Sequence, residues 1–127
     1  MSFRFEPALG LVIVQAELWG PSGSAIVRMA LDTGATRTVI NANPLVWIGY
    51  DPALSTDRVQ ITTGNGVEFA PVVNVQRVSA LGQERSDLPI LCHTLPPSAD
   101  VDGLLGLDFL RGQSLLIDFR AGEITLS

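Results

Sequence analysis

The chain alternates between short apolar runs and clusters of turn-forming residues. Val, Ile, Leu and Phe recur in these runs, and Gly, Pro, Asn and Asp separate them. Short apolar runs bounded by turn formers are typical of β-strands. The predicted strands are residues 9–18, 25–31, 37–40, 57–63, 67–78, 86–92, 101–105, 114–118 and 122–126.

Turn chemistry predicts that several of these strands are joined by tight hairpins. Gly20-Pro21-Ser22-Gly23 separates two apolar runs, and so does Thr63-Gly64-Asn65-Gly66. Asn-Gly favours the positive φ angles that a two-residue hairpin turn needs. A third turn is expected at residues 120–122, between the last two strands.

Two short helices interrupt the strand pattern. One is predicted at about 43–49, with Asn43 as its cap and Pro44 in its first turn, and the other near 107–112. Repeats and low-complexity tracts are absent. The pattern predicts one domain over residues 1–127, mainly β with one or two short helices, built as a barrel or a sandwich.

Composition excludes several classes of protein. The chain has 127 residues, of which 46% are apolar, so it can bury a substantial core. Its formal net charge is −5, and it contains no lysine. An acidic domain without basic clusters argues against binding to nucleic acid or to anionic membranes. The single cysteine, Cys92, excludes an internal disulfide.

The N-terminal apolar run at residues 8–14 is interpreted as part of a strand. Glu6 and Pro7 precede it, whereas a signal peptide would need a basic flank. No apolar run approaches the roughly 18 residues that a membrane span requires. We therefore expect a cytoplasmic location.

Candidate chemistry is concentrated where the run at 25–31 ends in Asp32-Thr33-Gly34-Ala35-Thr36. A carboxylate at the end of a buried strand is costly unless it is used, and such carboxylates often mark functional sites. The tripeptide alone is weak evidence, because Asp, Thr and Gly all favour turns. A second segment, 101–110, strengthens it: an apolar run there passes through glycines, which permit close backbone contact, and enters a short helix.

Together, the two segments resemble the retropepsin-like aspartic proteases, in the single-domain branch that includes bacterial and cellular members. Ala30-Leu31-Asp32-Thr33-Gly34-Ala35 is similar to the signature of that family, and Leu104-Leu105-Gly106 is similar to its second motif. Residues 59–70 are similar to its flap, a glycine-tipped hairpin. The resemblance covers about residues 9–126, including the closing hairpin.

The resemblance implies a closed acid-protease-like β-barrel that acts as a two-fold homodimer. Family members hydrolyse peptide bonds with two carboxylates that share a proton, one acting as a base on water. Since this chain has one motif, the resemblance implies that Asp32 of each subunit faces the other. Thr33 would bond across the two-fold axis, and Gly34 would admit the substrate backbone. A peptide or protein substrate, and no metal or other cofactor, is implied.

The chain departs from the viral members at two positions. Thr36 and Leu107 occupy the places of an Asp and an Arg that pair in viral members. The contact that this Asp makes with the substrate backbone in viral members is therefore not expected here. Ala35 has no hydroxyl to donate to the catalytic carboxylate. We therefore expect a pH optimum nearer neutrality than that of digestive aspartic proteases.

Other residues invite catalytic interpretations that we consider weaker. Asp102 or Asp108 could pair with Asp32 within one chain, but Asp108 is expected to cap its helix or face solvent. Cys92 and His93 suggest a thiol or metal centre, but adjacent strand residues point to opposite faces. Trp19 and Trp47 are most simply interpreted as anchors in the core or an interface.

Three functions remain open on the sequence. The first is an aspartic endopeptidase. The alternative is a non-catalytic dimerisation or peptide-binding module of the same fold. The third is a small-ligand β-barrel, which would require a lumen that the Asp32 loops are poorly placed to form.

Overall fold

The computed structural model describes all 127 residues. Its strands are β1 (Ser2–Arg4), β2 (Ile13–Gly20), β3 (Gly23–Leu31), β4 (Val39–Ile40), β5 (Arg58–Thr63), β6 (Gly66–Ala80), β7 (Gln83–Cys92), β8 (Gly103–Leu105), β9 (Leu115–Asp118) and β10 (Glu123–Leu126). The helices are α1 (Ala42–Trp47) and α2 (Leu107–Leu110), and short 3₁₀ turns cover Pro52–Leu54 and Pro97–Ala99. Both helices are much too short to cross a membrane.

Six strands form a closed barrel. Their order is β2-β3-β8-β4-β7-β6, and β6 pairs back onto β2 with Leu18 opposite Val78. The pairs β3–β8 and β4–β7 are parallel, and the others are antiparallel. The prediction of a mainly β chain that forms a closed barrel is therefore confirmed.

Alternation along the strands builds the core. In β2, Val14, Ala16 and Leu18 are buried while the residues between them are more exposed. The main apolar cluster contains 22 buried residues, including Phe109 of α2 and Ile124 of β10. The helix and the terminal strands thus pack against the same core as the barrel.

The first strand of the structure was missed by the sequence pattern. β1 has a single large apolar residue, Phe3, which pairs with Ile124. Three residues are too few to show the alternation that predicts a strand. β1 forms because it pairs with β10. The strand predicted at 9–18 is β2, which begins only at Ile13.

The start of α1 also differs from the prediction. Asn43 lies inside the helix, and Asn41 occupies the cap position without a capping side-chain hydrogen bond. The Asn41 side chain instead accepts from the Leu95 amide at 2.9 Å and donates to the Val101 carbonyl at 3.3 Å. Tertiary hydrogen bonds have therefore replaced the local cap.

The two tryptophans are not core residues. Trp47 is 68% exposed on α1. Trp19 is partly buried, and the Arg77 guanidinium lies 3.8 Å from its ring centroid. The expected opposite orientation of Cys92 and His93 holds, since Cys92 is buried and His93 is partly exposed.

Candidate active site

The loop that carries Asp32 begins between two barrel strands. Leu31, the last residue of β3, pairs with Leu105 of β8. The Asp32 amide donates to the Leu105 carbonyl at 3.0 Å, and the Leu31 amide donates to the Val12 carbonyl at 2.8 Å. Asp32 therefore follows directly from a backbone that is held on both sides.

Within the loop, the Asp32 carboxylate organises its own turn. Its Oδ1 accepts from the Gly34 amide at 2.8 Å, and its carbonyl accepts from the Ala35 amide at 3.2 Å. A Cβ on Gly34 would lie 3.1 Å from the same Oδ1, which is crowded contact. Thr33 and Gly34 are exposed and Asp32 is partly so, which leaves the carboxylate at the open side of the loop.

The second motif packs directly against this loop. The Leu107 amide donates to the Ala35 carbonyl at 2.8 Å. A Cβ on Gly106 would lie 2.7 Å from the Arg37 carbonyl carbon and 2.8 Å from the Ala35 oxygen. These are backbone atoms that cannot move aside, so only glycine fits. The two segments that the sequence linked by resemblance are thus in contact.

A buried hydrogen-bond network fixes the end of the loop. Thr38 is fully buried. Its amide donates to Asp108 Oδ2 at 2.9 Å, and its hydroxyl donates to Asp108 Oδ1 at 2.7 Å. The Thr38 hydroxyl also accepts from the Gly106 amide at 3.1 Å. Thr38 and Asp108, which are 70 residues apart in sequence, therefore hold the end of the Asp32 loop to α2.

Asp108 therefore does more than the sequence predicted. It accepts from the Phe109 amide at 2.8 Å at the start of α2, but its carboxylate is partly buried against Thr38 and does not face solvent. A signal for this contact was present. Thr38 precedes the apolar pair Val39-Ile40, and a buried hydroxyl in such a run needs a partner.

Asp102 has a different set of partners. Its carboxylate accepts from the Arg28 amide at 2.8 Å, and its own amide donates to the Arg28 carbonyl at 2.7 Å. Its carbonyl accepts from the Asn41 amide at 2.7 Å. Asp102 thus joins β3 to the segment that enters β8.

The hairpin of β5 and the first part of β6 corresponds to the predicted flap at 59–70. Thr63 pairs with Gly66 across a two-residue turn, Gly64-Asn65, and the positive φ of +113° falls on Gly66. The Thr63 hydroxyl accepts from the Asn65 amide at 3.2 Å. Gly64, Asn65 and Gly66 are exposed, as expected of a hairpin tip.

One face of this hairpin is apolar and joins the loop strands. Val59 and Ile61 of β5 pack against a buried cluster that includes Val39, and Leu104 packs against the same cluster. Leu104 precedes the residue that accepts from the Asp32 amide, and Val39 follows Thr38. The base of the hairpin is thereby connected to both strands that hold the Asp32 loop.

The chemistry of the site rests on a single carboxylate per chain. No group of three or more His, Cys, Asp or Glu side chains is placed to hold a metal ion. The Gly34 amide is the one hydrogen-bond donor that the chain directs at the Asp32 carboxylate. A closed barrel, an Asp-Thr-Gly loop and a glycine segment locked against it define the architecture of the retropepsin-like aspartic proteases.

Comparison with known proteins establishes the family. Residues 22–112 match the family model described as "gag-polyprotein putative aspartyl protease". The match spans most of the chain, and the chain belongs to this family of retroviral-type aspartyl proteases. The resemblance inferred from the sequence is therefore confirmed.

A solved structure shows the same fold. The chain is similar to the crystal structure of a retropepsin-like aspartic protease from Rickettsia conorii, with a TM-score of 0.74 and 19% sequence identity. The match covers 99% of this chain and 88% of that chain. No curated protein matches the sequence.

Proposed function

We propose that the protein is an aspartic endopeptidase whose catalytic pair consists of Asp32 from each of two identical subunits. The observation that carries the proposal is the Asp32 loop itself. Its carboxylate accepts from the Gly34 amide at 2.8 Å, and its backbone is held by β8. Membership of an aspartyl protease family supports the same activity.

In this mechanism, the two carboxylates share one proton because both cannot ionise at short range. The ionised carboxylate takes a proton from water as the water oxygen attacks the peptide carbonyl carbon. The protonated carboxyl group donates to the carbonyl oxygen. Collapse of the tetrahedral intermediate breaks the C–N bond, and a proton passes to the leaving nitrogen. Water is consumed, and no metal or other cofactor takes part.

The substrate is a peptide segment bound in an extended form beneath the hairpin of Thr63, Gly64, Asn65 and Gly66. An extended peptide can add its backbone to strands on either side. The apolar face of the hairpin, with Val59 and Ile61, favours apolar side chains in the substrate. We regard residues 1–127 as one domain, because the terminal strands share the core of the barrel.

The roles of the neighbouring residues follow from their places in the loop. Thr33 is exposed and its hydroxyl makes no hydrogen bond within the chain, so it is free to bond across the two-fold axis. Gly34 keeps the backbone beside the carboxylate open. Ala35 and Thr36 continue the loop, and Leu104, Leu105 and Gly106 support it from below.

The test is the Asp32→Asn variant, assayed against a broad peptide library. Asparagine can still accept from the Gly34 amide, so the loop is expected to keep its shape. We expect peptidase activity to fall by at least roughly 10³-fold, because the general base is lost. The matched control is Asp57→Asn, an exposed carboxylate with no side-chain hydrogen bond. Activity that persists in Asp32→Asn removes Asp32 from the catalytic role.

The alternative is a binding module that does not turn over its ligand. The missing charges at Thr36 and Leu107 favour it, because viral members use that pair at the site. If the wild type and the Asp32→Asn variant bind library peptides equally well and neither cleaves them, the result supports the binding module.

A further inference from the structure

The inner face of the β5–β6 hairpin, which packs on the barrel, carries one charged residue. In the ladder, Val59 lies opposite Ala70, and the next pair on the same face is Ile61 and Glu68. Ala70 belongs to the buried cluster that contains Val39. Residues directly opposite each other in a ladder point to the same face. The Glu68 side chain therefore lies on the inner face, beyond the buried base of the hairpin.

The side chains near the tip of the hairpin are distributed in an unusual way. The outer face carries Val67 and Phe69, which are 57% and 62% exposed. An antiparallel hairpin with one face on the core usually turns its apolar residues inward and its charges toward solvent. Here two apolar side chains point outward and the Glu68 carboxylate points inward. The space beneath the hairpin is therefore suited to a polar or charged group.

The Glu68 carboxylate is open to such a group. Its neighbour within the chain is His93, whose Nδ1 lies 3.9 Å from Glu68 Oε2, which is too long for a hydrogen bond. None of the eight arginines pairs with it, since the ion pair that an arginine does form joins Arg77 to Glu84. The Glu68 side chain is 50% exposed. Its oxygens can therefore accept hydrogen bonds from a ligand.

The barrel side of this space is held in place by strand pairing. The His93 amide donates to the Ile40 carbonyl at 3.0 Å, which continues the pairing of β4 with β7. The His93 side chain is only 29% exposed. The Glu68 carboxylate thus lies between a ring on the barrel and the inner face of the hairpin.

The same surface adjoins the catalytic loop. Ile61, directly opposite Glu68, packs against the cluster that Leu104 also contacts. The next residue, Leu105, accepts from the Asp32 amide at 3.0 Å. Glu68 therefore lies on the side of the hairpin where the proposed substrate binds.

We propose that Glu68 is a specificity-determining residue that binds the cationic end of a lysine or arginine side chain of the substrate peptide. This inference rests on the proposed function and names the class of substrate that the same site selects. The aliphatic stem of the side chain would lie along Ile61 and Val59, and its cation would reach the carboxylate. A charge-assisted hydrogen bond would form where Glu68 now has only a long contact with His93.

This chemistry discriminates between three kinds of substrate side chain. Lysine supplies both the apolar stem and the cation. Acetyl-lysine keeps the stem but has no charge, so it leaves the carboxylate without a cationic partner. Glutamate places a second negative charge beside Glu68, and like charges are repelled.

The first test measures cleavage of a peptide library in which each position carries lysine, acetyl-lysine or glutamate in turn. We expect one position at which the wild-type kcat/KM for lysine exceeds that for acetyl-lysine by roughly tenfold, as for a hydrogen bond to a charged group. Glu68→Gln should abolish this preference, and Glu68→Lys should favour glutamate at the same position. Because the measured quantity is a ratio within one variant, a general loss of activity cancels.

The matched control is Glu84→Gln on β7. The Glu84 side chain is 57% exposed and lies 4.0 Å from Arg77, so it resembles Glu68 in exposure and in having a loose ionic contact. Glu84 lies near the β6–β7 turn and not on the hairpin that carries Glu68. This variant should keep the wild-type ratio.

The second test measures binding without cleavage. Labelled lysine and acetyl-lysine versions of one library peptide are titrated with Asp32→Asn and with the double variant Asp32→Asn/Glu68→Gln, and fluorescence anisotropy gives the Kd. The lysine peptide should bind Asp32→Asn roughly tenfold more tightly than the acetyl-lysine peptide. The double variant should bind both peptides equally.

The results separate the subsite from the activity. Cleavage without any position that prefers lysine, or with a preference that survives Glu68→Gln, overturns the subsite and leaves the peptidase standing. An equal loss for both peptides in Glu68→Gln also overturns it, since the carboxylate then only holds the hairpin to His93. A binding preference that depends on Glu68, in a protein that cleaves nothing, supports the subsite and removes only the proposed activity. If no peptide is bound or cleaved, both proposals fail.

Discussion

The Asp108 carboxylate accepts hydrogen bonds from both the amide and the hydroxyl of Thr38, which is fully buried. Buried polar groups are costly when they lose their partners. These bonds connect the strand that leaves the Asp32 loop to the helix that follows Gly106. At the scale of single residues, this contact helps to keep the loop in place.

Replacement of Asp108 by alanine is expected to lower the free energy of unfolding by about 2–3 kcal/mol, because the Thr38 amide and hydroxyl lose their partner. Asp108→Asn should lose no more than about half as much, since the amide oxygen can still accept a bond. Asp57→Ala, at an exposed carboxylate, should change stability by less than about 0.5 kcal/mol. Urea denaturation measures all three. Equal stability of Asp108→Ala and Asp57→Ala would show that the contact is unimportant.

Burial raises the pKa of the Cys92 thiol above its ordinary value. The folded state therefore binds the thiol proton more tightly than the unfolded state does. The contribution of the protonated thiol to stability is fully present below the pKa of the unfolded state, and it is lost as the pH rises through the pKa of the folded state. We expect the free energy of unfolding to fall above about pH 9 more steeply in the wild type than in Cys92→Ala. Parallel pH profiles for the two proteins would contradict this.

At the scale of secondary-structure elements, the β5–β6 hairpin joins a structured base to an exposed tip. Its base packs against the cluster that contains Val39, next to the Asp32 loop, whereas Gly64, Asn65 and Gly66 are exposed. Such a hairpin can move over a bound substrate while its base stays fixed. The φ of +113° at Gly66 makes this residue the one in the turn that a side chain would strain.

We expect Gly66→Ala to lower kcat/KM by about tenfold, because strain of about 1–2 kcal/mol would oppose the closed hairpin. Gly64→Ala is the matched control, since its Cβ would meet no atom within 4 Å. Its kcat/KM should stay close to the wild-type value. Steady-state kinetics on one library-selected peptide compares them. Equal losses in both variants would mean that bulk at the tip matters and the φ angle does not.

At the scale of the whole molecule, the proposed activity depends on two chains meeting. One chain carries one Asp32 and one Thr33, whose hydroxyl makes no hydrogen bond within the chain. Both residues lie in the loop that the backbone of β8 holds. In the proposed dimer, a second chain would supply the partner of each.

Mixing wild type with an equal amount of Asp32→Asn tests this dependence. Adding the variant doubles the number of dimers. If pairing is random, a quarter of these dimers contain two wild-type chains, so the total activity should fall to roughly half that of the wild type alone. Asp57→Asn, mixed in the same way, should not lower the total activity. The mixture must be incubated until subunits have exchanged. An activity unaffected by Asp32→Asn would mean that each chain works alone.

Much of the fold could be predicted because its signals are local. Alternation in Ile13–Gly20 and Gly66–Ala80 reflects strands with one buried face. The hairpin turn at Gly64-Asn65 was predicted from the turn residues themselves, although the positive φ that Asn-Gly predicted falls on Gly66 and not on Asn65. The Asp32 motif and the Leu104-Leu105-Gly106 motif were each visible in sequence, and the glycines of the second segment indicated a close approach of another backbone.

The sequence by itself thus determined the strands with clear alternation, the turns, the family and the candidate catalytic carboxylate, because each is written in neighbouring residues. The tertiary structure alone decided the pairing of Phe3 with Ile124, the closure of β2 on β6, and the partners of Thr38 and Asn41. A short strand or a buried polar group is stabilised by whatever the fold brings to it. For Thr38 that partner is Asp108, 70 residues away. The pattern around Thr38 indicates that a buried hydroxyl needs a partner, but it does not identify that partner.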